Sequence, residues 1–60
     1  MNGSVPNDPF MLLSFINTQL RDNFGNLDKC CDHYGIDRTQ LEEKLSSVDY
    51  QYDPELNKFV

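Results

Sequence analysis

Residues 26–45 read NLDKCCDHYGIDRTQLEEKL, and two apolar stripes on either side of a single glycine decide the fold. Leu27, Cys30, Cys31 and Tyr34 recur at helical spacing, with Asp28, Lys29, Asp32 and His33 between them. The first half is therefore an amphipathic helix, with Asn26 placed to cap it and Gly35 to end it. Asp37 and Gln40 form the D-x-x-Q variant of a capping box, and Ile36 can staple to Leu41 across it. Leu41, Leu45 and Val48 then make the buried side of a second short helix, joined to the first by a tight turn.

Upstream, Asp8 followed by Pro9 starts another helix. The carboxylate accepts from free backbone amides, and proline at the first helical position lacks only an N–H that would be unpaired there. The run extends to Phe24, with Gly25 as its stop. Leu13, Ile16, Leu20 and Phe24 form its core-facing stripe. Phe10, Met11, Leu12 and Phe15 do not all fit that stripe, so the first half of this helix is apolar nearly all round. Either the C-terminal hairpin covers the extra face or a second subunit does, and these four residues are the candidate protein interface. Residues 1–7 contain Gly3, Ser4, Pro6 and two asparagines without periodicity and read as a flexible lead-in.

Downstream of Val48 the period becomes alternating. Tyr50 and Tyr52 share one face of a short strand, with Asp49, Gln51 and Asp53 opposite. In Asp53-Pro54-Glu55-Leu56-Asn57, proline suits the second position of a type I turn and asparagine tolerates a left-handed backbone. Lys58-Phe59-Val60 returns as the partner strand. A lone two-stranded hairpin is marginal in water, so it must lean on the helices through its aromatic residues. The expected fold class is mainly α, a small α+β domain over residues 8–60 with three helices and a C-terminal β-hairpin, similar to a miniature winged helix-turn-helix.

Sixty residues suffice for one domain with a thin core. The charged fraction of 25% and hydrophobic fraction of 38% are those of a globular chain, which excludes a disordered tail. The net charge of -5 argues against a partner held chiefly by its phosphates and against anionic membrane surfaces. No apolar run is long enough to cross a bilayer, and MNGSVPNDP lacks the basic and apolar regions of a secretory signal. A cytoplasmic location is expected. Cys30 and Cys31 are helix neighbours whose side chains diverge by roughly 100°, which disfavours a disulfide between them.

Three stretches, DPFMLLSFINTQLRD, LDKCCDHYGID and DYQYDPELNKF, carry a family likeness. The chain resembles a small uncharacterised bacterial family, a domain of unknown function whose members show DP-x-MLLS-x-x-N-x-x-LRD near the start and Y-x-YD-x-x-x-N-x-F near the end. The resemblance covers nearly the whole chain from Pro6 onward and implies a compact fold without implying an activity. A weaker likeness is to the helix-turn-helix superfamily, matched by Cys31, Gly35, Ile36 and Leu41. Where that superfamily meets bases or phosphates, this chain has Arg38, Thr39, Glu42, Glu43 and Ser46, and adjacent carboxylates repel a phosphate backbone.

Cys30 and His33 have a spacing at which two ligands can share one metal, but a structural zinc requires four and no second cluster exists. A Cys-His catalytic pair has no third residue to orient the base. Neither a metal, a cofactor nor a small-molecule substrate is expected, and enzyme activity is not. Asn17 and Arg21, one helical turn apart, form either a polar recognition patch or a tie from the first helix to backbone carbonyls. Tyr50, Tyr52 and Phe59 suit packing better than base stacking, because Lys58 is the only cation in the hairpin. The function expected is a protein-interaction module, homodimeric through the first helix. The alternative is a DNA-binding accessory protein using Arg38, Thr39 and Lys44, with Lys58 on the wing, which charge disfavours.

Overall fold

The computed structural model describes residues 5–60. Three helices, α1 (Pro9–Asp22), α2 (Leu27–Tyr34) and α3 (Arg38–Ser46), precede two strands, β1 (Tyr52–Asp53) and β2 (Lys58–Phe59). The strands pair antiparallel with Tyr52 opposite Phe59 and Asp53 opposite Lys58, so the expected three helices and C-terminal hairpin are present in the expected order. Of the lead-in at residues 1–7, residues 1–4 lie outside the described residues. Val5 packs against the core, and Asn7 accepts from Lys44 Nζ at 2.6 Å.

Each helix begins where its capping residue stands. The Asp8 carboxylate accepts from the N–H groups of Phe10 and Met11 at 3.1 and 3.0 Å, and Asn26 from Lys29 at 2.8 Å. Asp37 accepts from Thr39 and Gln40 at 2.9 and 3.3 Å. These side chains satisfy amides that have no partner inside the helix. Gly35 closes α2 at φ 67°, the left-handed conformation that costs a residue without a Cβ nothing.

The core is Leu12, Ile16 and Leu20 from α1, Leu27, Cys30 and Cys31 from α2, Leu41 and Leu45 from α3, and Phe59 from β2. The stripe on α1 is therefore displaced from the one expected, since Leu12 holds the central place and Leu13 is half-buried. Both leucines stand at helical spacing from Ile16. Leu12 lies on the side of α3, beside Ile36 and Leu41, whereas Leu13 lies on the hairpin side with Asn17 and Tyr50 and stays half-covered.

The end of α1 also differs from expectation. The helix stops at Asp22, with Asn23 as its C-cap, and Gly25 does not enter the left-handed region. Asn57 supplies the closure instead. Its Nδ2 donates to the carbonyls of Leu20 and Phe24, both at 3.1 Å, satisfying acceptors that the helix leaves open.

Candidate functional surfaces

The polar residues of α1 and the hairpin form one network. Asn17 Nδ2 donates to the Phe59 carbonyl at 3.1 Å, and Asn17 Oδ1 accepts from the Phe59 N–H at 2.8 Å. A single side-chain amide thus pairs with β2 as a neighbouring strand would. Asn57 sits at φ 55°, the left-handed conformation expected of it, and the Tyr52 hydroxyl donates to its Oδ1 at 2.7 Å. The same hydroxyl accepts from the Leu27 N–H at 3.3 Å. The hairpin is thereby tied to the end of α1 and the start of α2. Of the two readings of Asn17 and Arg21, the backbone tie describes Asn17, while Arg21 pairs with its neighbour Asp22 at 2.9 Å on the surface. That contact raises the Arg21 pKa and lowers that of Asp22.

Composition alone did not reveal the reach of Asn57 to α1, because its partners stand 33 and 37 residues away. Locally the sequence points elsewhere, since Gly25 stands where a helix-ending glycine is expected.

The α2–turn–α3 surface is acidic, and two of its three cations, Arg38 and Lys44, are engaged. Arg38 donates to Asp28 at 2.8 Å and to Glu42 at 2.9 Å, and its Cζ lies 5.5 Å from the centre of the Tyr52 ring. These hydrogen bonds, first to Asp28 and then to Glu42, hold the guanidinium more firmly protonated than usual. Lys44 turns to Asn7, whereas Thr39 and Lys58 are exposed. The four residues proposed for phosphate or base contact thus do not form a basic patch, since two are occupied within the chain and Thr39 stands beside Glu42 and Glu43 in one groove.

Cys30 and Cys31 are both buried. Burial, then the neighbouring Cys31 thiol, pushes the Cys30 pKa up to about 11. Burial also raises Cys31, against the opposing pull of Arg38. Both are therefore thiols at neutral pH, the unreactive form. His33 is exposed and packs edge-on against Tyr34, with ring centres 4.7 Å apart, in a cluster with Phe24. Among the described residues no group of three or more His, Cys, Asp or Glu side chains is placed to hold a metal ion.

The four apolar residues of α1 proposed as an interface separate. Leu12 is 4% exposed and belongs to the core, a correction that follows from its i, i+4 spacing to Ile16 and Leu20. Phe15 is half-buried, edge-on to Tyr34 at 5.3 Å. Phe10 and Met11 are 61% and 63% exposed. On a helical wheel these two flank the positions of Ser14 and Thr18, also exposed. The outer face of α1 thus has large apolar side chains at its start and small ones further along. From Pro9 to Leu20 the helix carries no charged residue.

No helix among the described residues is long and apolar enough to cross a membrane. Neither curated proteins nor solved structures yield a match to the chain. A family model described as a domain of unknown function, DUF4250, matches residues 6–59. With nearly its whole length matched, including every helix and both strands, the chain belongs to the DUF4250 family.

Proposed function

We propose that the domain is a non-enzymatic protein-interaction module that pairs with a second copy of itself through the outer face of α1. The observation that carries this reading is the exposure of Phe10 and Met11 on a helix without charge from Pro9 to Leu20. Depletion of charge around large apolar anchors is the composition of an interface centre. Two copies of a chain with net charge -5 repel each other wherever their carboxylates meet, so a neutral face is the one on which they can approach. The face is also self-complementary. In a two-fold arrangement of antiparallel helices, Phe10 and Met11 of one copy lie over Ser14 and Thr18 of the other.

Sedimentation equilibrium over a range of concentrations tests this. The expected result is a monomer–dimer equilibrium that Met11→Glu abolishes while leaving the helical circular dichroism unchanged. A monomer at every concentration up to about 1 mM, the weak end of specific association, refutes self-pairing. DNA binding draws less support from the geometry, since Arg38 is held by two carboxylates.

A further inference from the structure

A groove of about 470 Å³ lies between α3 and β1, lined by Thr39, Glu42, Glu43, Ser46, Gln51 and Tyr52. Strand pairing determines what the groove offers. Gln51 and Val60 exchange both backbone hydrogen bonds, at 3.0 and 2.9 Å. In an antiparallel ladder the next pair, Tyr52 and Phe59, is therefore non-hydrogen-bonded, and the N–H and C=O of each residue point away from the hairpin. On the β2 side Asn17 takes both groups of Phe59. On the β1 side Tyr52 has no backbone or side-chain partner for its own N–H and C=O among the described residues. Tyr50, two residues back on the same edge, donates its N–H to the Leu45 carbonyl in α3 at 3.0 Å, so this edge is turned toward α3.

Charge selects what such an edge would take. Between Asp28 and Glu55 stand eight of the ten carboxylates and three of the five cations, so this part carries the whole net charge of -5 and the remainder is neutral. No cation lines the groove. Glu42 is held by Arg38, whereas Glu43 enters none of the ion pairs among the described residues.

We propose that this groove docks an extended segment of another protein that presents a lysine or arginine. The segment adds to the outer edge of β1, exchanging two backbone hydrogen bonds with Tyr52, while Glu43 receives the basic side chain. Pro54, which has no N–H, limits the paired edge to this short length. Recognition is correspondingly brief, with an affinity suited to transient association. It is independent of pairing through α1, which uses the neutral part of the surface.

The test is an NMR titration of the ¹⁵N-labelled domain with a blocked peptide, threonine-lysine-valine-lysine-threonine, and with the same peptide N-methylated at every residue. The N-methylated peptide keeps both charges and cannot donate from its backbone. The expected result is that shifts concentrate on Thr39, Glu43, Ser46, Gln51 and Tyr52. Affinity then falls about threefold in Glu43→Gln, as for an exposed ion pair, and about fivefold or more on N-methylation, as for a lost hydrogen bond. Shifts spread over Asp32, Asp49 and Glu55 and indifferent to N-methylation would mean diffuse attraction and overturn the proposal. So would the absence of shifts at about 1 mM peptide.

Discussion

Replacing Asn57 with alanine should strongly destabilise the domain, although the residue is only half-buried. The substitution removes two hydrogen bonds to the carbonyls of Leu20 and Phe24 at 3.1 Å and one from the Tyr52 hydroxyl at 2.7 Å. At about 1 kcal/mol net for each, that is roughly 3 kcal/mol. Alanine at φ 55° adds about 1 kcal/mol of backbone strain, which asparagine tolerates better. A 60-residue domain has on the order of 3–9 kcal/mol in total, so a loss of about 4 kcal/mol removes between nearly half and all of it. Urea unfolding followed by far-ultraviolet circular dichroism measures the change. Asn57→Gly separates the contributions, because it deletes the same hydrogen bonds without the strain and should recover about 1 kcal/mol relative to alanine. If alanine and glycine cost the same, and both less than about 1 kcal/mol, Asn57 does not hold the hairpin to α1 and the reasoning fails.

Tyr52→Phe should cost about 1–2 kcal/mol, because it leaves the Leu27 N–H and Asn57 Oδ1 without the shared hydroxyl; in a double-mutant cycle with Asn57→Ala the losses should fall short of additive. Gly25 and Gly35 should respond in opposite directions. Neither has an atom within 4 Å of an added Cβ, so Gly35→Ala at φ 67° should lose about 1 kcal/mol, whereas Gly25→Ala should be neutral or gain up to about 1 kcal/mol by restricting the unfolded chain, as thermal melts of the two variants would show. Cys30 gives a pH dependence. Its pKa rises from 9.0 to about 11 on folding, so the unfolded chain loses the proton first and stability must fall as pH rises through that window, by at most about 1.4 kcal/mol per pH unit. Cys30→Ala starts less stable at neutral pH but lacks this slope, and urea midpoints that stayed parallel to wild type between pH 8 and about 10.5 would contradict the burial assigned to the thiol.

Legibility in the sequence followed the range of the interaction. Asp8, Asn26 and Asp37 cap amides two or three residues away, and their roles are readable because the ligand and the donor are near neighbours. Gly35 is readable for the same reason, as is the hairpin from the alternation around Tyr52 and the turn at Asn57. Leu12 and Leu13 were not separable locally, since both fall at helical spacing from Ile16 and only the packing of α3 on one side and of the hairpin on the other distinguishes them. Asn57 illustrates the limit more sharply. Its left-handed backbone is a local property of its turn, but its closure of α1 exists only after the chain has folded back over more than thirty residues. For the candidate surfaces, the chain showed an apolar excess on the first helix but could not show that Leu12 is inside it, nor that Arg38 is held by Asp28 and Glu42.

A small set of side chains wires the fold together. Asp8 and Pro9 begin α1, Asn17 pairs with Phe59, and Tyr52, Asp53 and Asn57 order the hairpin, with Asp53 accepting from the Glu55 N–H at 2.9 Å within its turn. Side chains engaged in this way cannot also contact a partner without loosening the domain, whose core among the described residues is nine side chains. Binding must therefore fall to side chains that the wiring leaves outward. Two groups of these differ in kind: Phe10, Met11, Ser14 and Thr18 on the uncharged stretch of α1, and Glu43 beside the open edge of Tyr52 in the part that holds all of the net charge. An apolar face gains from excluding water and is nearly indifferent to salt, whereas an exposed carboxylate and its partner are screened by it. Raising the ionic strength should consequently leave pairing through α1 intact while weakening docking at β1. A single salt series, read by sedimentation and by amide shifts, distinguishes the two surfaces within one protein.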